Sequence, residues 1–317
     1  MREVVTIFKD VKRKKGVFTV FKHKKRWIVS LVLMITLVGL AACGEDEQGS
    51  KEVSSQGENA ETEATAWDAL KEKGTFTVAT SGTLFPSSFH DGENNELTGY
   101  EVEVVKEIGK RLELPIEFVE MGVDGMLTAV KSGQVDAAAN GLDITEKRLE
   151  DYNFSEPYKY SFGGIVVRAS DDSGVESLED LKGKKSAGGA TTIYMQISEK
   201  FGAEPVVYDN ATNDVFFRDV ASGRTDVILN DFYISNTAVN KFKELGVKMS
   251  DIYYNPTSAG ILLKKEDDSI KNKIDEVLEE LHEDGTLTKL SEEFFAGEDV
   301  SKPIEGIDDL PVVELDH

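Results

Sequence analysis

Apolar and polar positions follow two different periods between residues 76 and 139, and each period predicts a different element. Residues 76–79 alternate as in a strand, whereas the apolar residues of 102–112 recur at helical spacing. A strand at 116–119 and a helix at 126–131 follow, and the glycine of Ser132-Gly133 suits a left-handed end to that helix. Strands that alternate with helices of this length predict an α/β architecture, with helices on both faces of the sheets.

The stretch from Asn140 to Arg148 is the strongest candidate for a binding loop. The apolar run 135–139 predicts a buried strand that ends abruptly at Asn140. Thr145 is expected to begin a helix, because its hydroxyl can accept hydrogen bonds from the free amides of the first turn. Arg148 then lies where the helix dipole disfavours a cation, so an anionic partner would be stabilising, and its planar fork suits a carboxylate. A solvated surface arginine is the alternative.

An internal repeat relates two parts of the chain. Residues 130–137 and 220–227, ninety residues apart, each combine a helix end, a Ser-Gly turn, an aspartate and an apolar strand. This spacing is too long for a solenoid and indicates two similar lobes. The strands end at Asn140-Gly141 and at Asn230-Asp231, and ligands of open α/β sheets bind beyond the carboxyl ends of strands. The two loops are therefore expected to face one crevice, unless the Ser-Gly-x-x-Asp pattern is only a common helix-to-strand turn.

Composition narrows the classes of function. The chain has 317 residues, 40% of them hydrophobic, which suits two modest domains with packed cores. Its net charge of -23 argues against nucleic acid as a partner. The single cysteine, Cys43, excludes an intramolecular disulfide and a cysteine-rich zinc site, and the four histidines lack metal-ligand spacing. We therefore expect neither a metal nor a cofactor.

The N-terminus predicts an export signal followed by a lipid anchor. A basic patch at 22–26 precedes an uncharged run at 27–42, which is shorter than the ~20 residues of a membrane-spanning helix. The run ends in Leu40-Ala41-Ala42-Cys43, which resembles the bacterial lipobox. Residues 1–42 are thus expected to be a signal peptide, Cys43 to carry the lipid on the outer face of the cell membrane, and polar residues 43–70 to form a flexible acidic linker. A single buried cysteine is the alternative.

A specific family resemblance covers residues 71–295. The run Gly99-Tyr100-Glu101-Val102-Glu103-Val104, with Ile108-Gly109 and Leu112 after it, resembles the signature of the family 3 extracellular solute-binding proteins. These are the polar amino-acid receptors of ABC importers. Within the family, residues 81–86, 121–127 and 191–194 look most like the cystine-binding lipoproteins.

The resemblance implies a two-lobed α/β fold of the periplasmic-binding-protein type II, in which each lobe is a sheet flanked by helices and the chain crosses the hinge twice. The apolar segments 163–168 and 259–263 are the expected crossings. The expected parts are 71–165 with 259–295 for lobe 1, 166–258 for lobe 2, and 296–317 for a loosely packed C-terminal tail.

The resemblance also implies roles for particular residues. Arg148 corresponds to the arginine that clamps the ligand α-carboxylate, helped by the backbone at Ala190 and Thr191, and Asp231 to the acceptor of the α-ammonium group. Residues 188–192 also precede a predicted helix, where free amides can bind an anion, although an ordinary helix cap is equally consistent. Many relatives carry an aspartate where this chain has Ser81, and Asp143 can compensate for its loss. The other residues expected at the pocket are Ser81, Leu84, Phe85, Asn140, Gly141 and Asp143.

The resemblance favours a non-enzymatic, monomeric receptor that binds L-cystine or a related sulfur amino acid and delivers it to a membrane permease. A basic or polar amino acid is an alternative ligand. An enzyme on the same fold, resembling a dehydratase or a lytic transglycosylase, is a second alternative, because Glu101, Glu103, Asp124 or Asp143 could act as an acid. No nucleophile–base pair accompanies these acids in the sequence. A surface adhesin is the third alternative.

Overall fold

A computed structural model describes residues 64–92 and 94–315. The predicted signal peptide, Cys43 and the linker up to residue 63 lie outside the described residues. Within the described part, no helix is both long enough and apolar enough to span a membrane.

The first sheet has five strands in the order β5-β1-β6-β13-β7. Strand β1 (Phe76–Thr80) lies between β5 (Ile116–Glu120) and β6 (Ala137–Ala138) and is parallel to both. Strand β13 (Leu262–Lys264) pairs antiparallel with β6 and with β7 (Tyr152–Phe154). All five residues of β1 are buried, because a central parallel strand is covered on both faces.

Six helices and a small sheet belong to the same two stretches of the chain as the first sheet. The small sheet is antiparallel and has the order β2-β3-β4. Its strands are β2 (Thr83–Leu84), β3 (Ser88–Asp91) and β4 (Glu96–Thr98). The helices are α1 (Ala66–Lys73), α2 (Tyr100–Arg111), α3 (Val123–Ser132), α4 (Glu146–Asp151), α8 (Asp268–Glu283) and α9 (Thr286–Phe294).

The second sheet has the order β10-β9-β11-β8-β12. Strands β9, β10 and β11 are parallel, whereas β8 pairs antiparallel with β11 and with β12. The strands are β8 (Lys159–Arg168), β9 (Lys185–Gly188), β10 (Glu204–Val207), β11 (Val227–Asp231) and β12 (Val247–Ala259). The helices of this part are α5 (Ile193–Lys200), α6 (Asn213–Ser222) and α7 (Phe232–Lys241), and short 3-10 turns lie at Asp172–Gly174, Leu178–Leu181 and Lys243–Leu245.

The repeat predicted from the sequence forms the same structure twice. Helices α3 and α6 begin ninety residues apart and have equal lengths of 10 residues. They end at Gly133 and Gly223, which both have φ 75, in the left-handed region that glycine adopts without strain. Each helix leads into a parallel strand, β6 or β11, so the predicted helix–turn–strand repeat is confirmed.

The chain passes between the two sheets twice. It leaves the first sheet at Phe154 and enters the second at Lys159, and it returns between Ala259 and Leu262. Residues 163–168, which we expected to be a crossing, instead lie inside the second sheet, where they pair with β11 and β12. Their apolar character reflects a strand that is hydrogen-bonded on both sides. We expected residues 159–165 to belong to lobe 1, but they pair with the second sheet.

The C-terminal tail is well packed in its described part. Val300 and Leu310 are buried, and Val313 packs against the core of the second sheet. Asn255 of β12 holds the tail with three hydrogen bonds: its backbone amide donates to Pro311 O (2.9 Å), its side chain donates to Val313 O (3.1 Å), and it accepts from Val313 N (2.6 Å). The prediction of loose packing was wrong, because isolated apolar residues in an acidic segment give no periodic signal.

Candidate functional site

A cavity of about 150 Å³ lies where strands of both sheets reach their carboxyl ends. Ser81 follows β1, Asn140 and Gly141 follow β6, Gly188 ends β9 and Asn230 lies near the end of β11, and all of them line the cavity. This is the position in which open α/β sheets bind ligands. The repeat therefore predicted the two loops that meet here.

Asn140 fixes the first-lobe wall of the cavity. Its side-chain oxygen accepts a hydrogen bond from Ser81 N (3.1 Å) and lies 3.5 Å from the hydroxyl of Thr80. The bond joins the loops that follow two neighbouring parallel strands. Gly141 comes next with φ 62, a conformation that places its backbone against the cavity and favours glycine.

Arg148 reaches from the first lobe toward the second. Thr145 caps helix α4 as predicted, since its side chain accepts from Arg148 N (3.2 Å). The guanidinium donates from Nη1 to Asp143 O (2.8 Å) and from Nη2 to Thr191 O (3.4 Å). Burial lowers the pKa of Arg148, although the negative charge of Asp143 opposes this shift. Two of the five donor positions of the guanidinium are used in this way, so donors remain for a ligand carboxylate.

Asp143 is the carboxylate on the cavity wall. Its backbone forms an isolated β-bridge with Ala259, at the crossing between the sheets, and its Oδ1 accepts from Tyr194 OH (3.3 Å) on α5. The side chain is buried, with 6% of the residue exposed. Burial raises the pKa of Asp143 to about 6, although the charges of Arg148 and Lys159 oppose the shift.

Asp231, expected to accept the ligand ammonium, does not line the cavity. Its Oδ2 lies 2.5 Å from Lys159 Nζ, and its Oδ1 accepts from Ile234 N (3.0 Å) as the cap of helix α7. The residue is 2% exposed. Lys159, which contacts this carboxylate, is a residue that the sequence did not single out.

Three other predicted site residues lie beside the cavity and not on its wall. Phe85 packs on Phe89 (4.8 Å between ring centroids) and lies 3.9 Å from Lys241 Nζ. Ala190 and Thr191 line a separate cavity that also borders Arg148 and the tail residues Val312–Leu315. We expected the Thr191 amide to be free to bind an anion, but it donates to Asp124 Oδ1 (2.9 Å). The remaining predicted residues Ser81, Leu84, Asn140, Gly141, Asp143 and Arg148 all line the cavity.

Two asparagines that the sequence reasoning missed join the lobes across the cleft. Asn210 donates to Ser81 O (3.1 Å) and lies 3.0 Å from the Thr83 hydroxyl. Asn213, at the start of α6, accepts from Phe85 N (2.9 Å). Because α6 repeats α3 at a distance of ninety residues, the loop before α6 was the predictable counterpart of the loop before α3. The lobes are thus closed on each other.

The cavity wall carries one charge of each sign. Among the described residues that line it, Asp143 and Arg148 are the only charged ones. The rest of the wall is neutral and includes aromatic rings and side-chain amides. These neutral residues include Thr83, Leu84, Val123, Thr192, Tyr194, Tyr208, Asn210, Asn213, Phe216, Phe217 and Ile234.

The other acids considered for catalysis lie off the wall. Glu103 pairs with Lys106 (2.8 Å), Asp124 accepts from Thr191, and Glu101 is buried behind Gly141. Of the four acids, Asp143 alone lines the cavity in the described part of the chain. Residues 64–92 and 94–315 contain no group of three His, Cys, Asp or Glu side chains placed to hold a metal ion.

Known sequences match this chain over most of its folded part. Residues 76–297 match the model of the family described as bacterial extracellular solute-binding proteins, family 3. A probable ABC transporter extracellular-binding protein, YckB of Bacillus subtilis (strain 168), is 50% identical over 298 residues, or 93% of this chain and 99% of YckB. The L-cystine-binding protein TcyA of the same strain is 33% identical over 282 residues, or 88% of this chain and 100% of TcyA.

Solved structures share the fold. The crystal structure of Bacillus subtilis YckB has a TM-score of 0.63 at 53% identity and covers 79% of this chain and 100% of its own. An ancestral arginine-binding protein bound to glutamine has a TM-score of 0.65 at 34% identity and covers 70% of this chain and 98% of its own. The expected two-lobed type II fold is confirmed. With the family match, these relatives show that the chain belongs to family 3 of the bacterial extracellular solute-binding proteins.

Proposed function

We propose that this protein is the receptor of an ABC importer, and that it binds an amino acid between its lobes and delivers it to a permease. The observation that carries the proposal is that Arg148 and Asp143 stand side by side on the cavity wall, where Arg148 Nη1 donates to the backbone carbonyl of Asp143 (2.8 Å). A guanidinium suits the α-carboxylate, and a neighbouring carboxylate suits the α-ammonium. One charge of each sign matches one zwitterionic head group.

We further propose L-cystine or a related sulfur amino acid as the ligand. The neutral remainder of the wall supports a ligand whose side chain carries no net charge, because an enclosed net charge without a partner costs several kcal/mol. This disfavours a basic amino acid, even though the ancestral arginine-binding protein is similar in fold. The similarity to TcyA, an L-cystine-binding protein, supports the sulfur class.

The size of the cavity bears on the choice within that class. A volume of about 150 Å³ is comparable to cavities that hold a benzene-sized molecule. L-Cystine is larger than this, so it requires the lobes to stand farther apart than in the described form. A smaller sulfur amino acid requires less separation of the lobes than L-cystine does.

Closure on the ligand is proposed to be a shift between open and closed states. The contacts of Asn210 and Asn213 with the loop at Ser81 and Phe85 belong to the closed state. These contacts are neutral hydrogen bonds. The charged head group of the ligand therefore supplies the charge interactions across the cleft that these contacts do not provide. We also propose that Cys43 carries a lipid that keeps the monomeric receptor on the outer face of the membrane.

Isothermal titration of the lipid-free chain, residues 44–317, tests the proposal. The panel contains L-cystine, L-methionine, L-glutamine and L-arginine. We expect saturable binding with one site, strongest for a sulfur amino acid, and loss of that binding in Arg148→Ala. Lys147→Ala is the matched control, because Lys147 is exposed on the same helix and does not line the cavity. A wild-type protein that binds no amino acid of the panel would contradict the proposal.

A further inference from the structure

Phe85 belongs to the first lobe but packs into the second. It follows strand β2, directly after Leu84 of the cavity wall. Its side chain contacts a cluster of buried residues from the second sheet and from helices α6 and α7. Among the described residues that pack on this cluster, Phe85 alone comes from the first lobe. The partly buried ring therefore makes an apolar contact between the lobes, outside the ligand cavity.

A lysine of the second lobe covers the Phe85 ring. Lys241 is the last residue of α7, and its Nζ lies 3.9 Å from the ring centroid of Phe85 and 5.3 Å from that of Phe89. A cation over an aromatic face is attracted by the negative charge of that face. The end of a helix also favours a cation, so the second lobe presents its ammonium where the first lobe brings two rings.

Aromatic rings connect this contact with the wall of the ligand cavity. The Phe85 ring meets Phe242 edge to face, with 6.3 Å between their centroids, and Phe242 meets Phe217 in the same way at 6.2 Å. Such pairs are favourable because the positive edge of one ring faces the negative face of the other. Phe217 lines the ligand cavity. Phe85, Lys241 and Phe242 are called the Phe85 latch below.

The backbone of Phe85 is held at the same place. Phe85 N donates to Asn213 Oδ1 (2.9 Å), and Asn213 lines the ligand cavity from the second lobe. The latch is therefore next to the site, although the Phe85 side chain is not on the cavity wall. A residue in this position acts on the separation of the lobes and not on the ligand directly.

The latch favours the closed form independently of charge. Closure of the empty cleft encloses Asp143 and Arg148, and burial disfavours the charged form of both. The apolar contact of Phe85 with the second lobe gains free energy when the lobes meet, because it removes the ring from water. The ligand removes the opposing charge cost, and the latch then keeps the cleft shut.

We infer that Phe85 is a positioning residue that retains the bound ligand: its ring docks against Lys241 and Phe242 of the second lobe and slows the opening of the closed cleft. The inference rests on the proposed function. It assigns ligand retention to a contact that does not touch the ligand, and it predicts that losing the contact acts on dissociation more than on association.

Affinity and the rate of release of radiolabelled ligand test the inference. In Phe85→Ala we expect the affinity for L-methionine to fall by about tenfold or more, mainly through faster release, because the closed form is less populated. The loss for L-cystine should be smaller, since this larger ligand holds the lobes farther apart. Lys241→Met should weaken L-methionine binding by about threefold, whereas Lys241→Arg keeps a cation over the ring and should keep the wild-type affinity.

Leu245→Ala is the matched control. Leu245 packs on the same buried cluster but belongs to the second lobe, so its loss should leave affinity and release unchanged. The inference is overturned if Phe85→Ala keeps the wild-type release rate for every amino acid of the panel that the wild type binds. It is also overturned if Leu245→Ala reproduces the loss, because the effect then comes from the core of the second lobe.

Spin-label distances measure the closed form itself. The chain from residue 44 onward contains no cysteine, so cysteines introduced at the exposed residues Glu96 and Lys243, on either side of the latch, are labelled selectively. At saturating L-methionine, the wild type should show one short distance, whereas Phe85→Ala should keep a second, longer one. Identical distributions would overturn the inference while the proposed function stands. A wild-type protein that neither binds nor closes with any amino acid of the panel would refute the proposed function, and the inference with it.

Discussion

Asp143 should make the receptor discriminate strongly between an amino acid and its analogue without amino groups. In the closed form, burial raises the pKa of Asp143 from the ordinary 3.8 to about 6, although Arg148 and Lys159 oppose the shift. This difference corresponds to about 3 kcal/mol for enclosing the ionised carboxylate at neutral pH. A ligand ammonium offsets that cost, whereas 3,3'-dithiodipropionate, the analogue of L-cystine without its amino groups, does not.

The raised pKa fixes the direction of the pH dependence. A carboxyl group with a higher pKa in the closed form binds its proton more tightly there, so closure on a ligand without a cation takes up a proton. Its cost falls as the pH drops through about 6 and disappears below 3.8. Between about pH 7.5 and about pH 5, the affinity for 3,3'-dithiodipropionate should therefore rise by about tenfold. The affinity for L-cystine should change much less, because its ammonium keeps Asp143 ionised.

Titration calorimetry with both ligands at the two pH values measures this difference. Asp143→Asn should bind 3,3'-dithiodipropionate with little pH dependence and should lose most of the preference for L-cystine. Asp151→Asn is the control, since Asp151 is exposed and pairs with Lys131 (2.9 Å) outside the ligand cavity. If the wild-type affinity for 3,3'-dithiodipropionate is the same at both pH values, or if Asp143→Asn keeps the rise, Asp143 does not receive the ammonium.

Three further substitutions test the site and the fold. Arg148→Lys should weaken binding of L-cystine by about tenfold or more, because an ammonium cannot replace a planar fork; unchanged calorimetric affinity would contradict the carboxylate clamp. Gly133→Ala should lower the free energy of unfolding in urea by about 1 kcal/mol, because φ is 75 there, whereas Gly125→Ala inside the same helix should not lower it. Asn255→Ala should lower that free energy by about 1–3 kcal/mol and speed hydrogen exchange at 311–315, and unchanged exchange would mean that the tail is held otherwise.

Local chemistry explains why much of the fold was predictable from the sequence. The ends of α3 and α6 depend on Gly133 and Gly223, which each stand at the position where the helix must turn left-handed. The start of α4 depends on the hydroxyl of Thr145, which accepts a hydrogen bond from the amide of Arg148, three residues later in the chain. Such signals need only neighbours in the chain. The repeat extended them to the second lobe.

The partners of buried charges could not be predicted in the same way. Lys159 and Asp231 lie 72 residues apart, and their contact requires both the antiparallel pairing of β8 with β11 and the crossing just before β8. In the sequence, Lys159 stands between Tyr158 and Tyr160, and this short pattern is typical of a strand with an exposed lysine. The family resemblance assigned Asp231 a ligand contact, which stays a prediction, but it did not indicate Lys159, because a resemblance carries over positions and not the partners that surround them.

The charges at the cleft connect ligand choice with the state of the receptor. About 3 kcal/mol against closing over an unpaired Asp143 would shift the equilibrium of the empty protein toward the open form by about 100-fold. The burial that lowers the pKa of Arg148 acts in the same direction, since an unpaired guanidinium also loses water on closure. A zwitterionic head group removes both costs at once, and a ligand with only one of the two charges removes only one of them. If the permease recognises the closed form, as we propose, the same two side chains both select the ligand and prevent the empty receptor from competing for the importer.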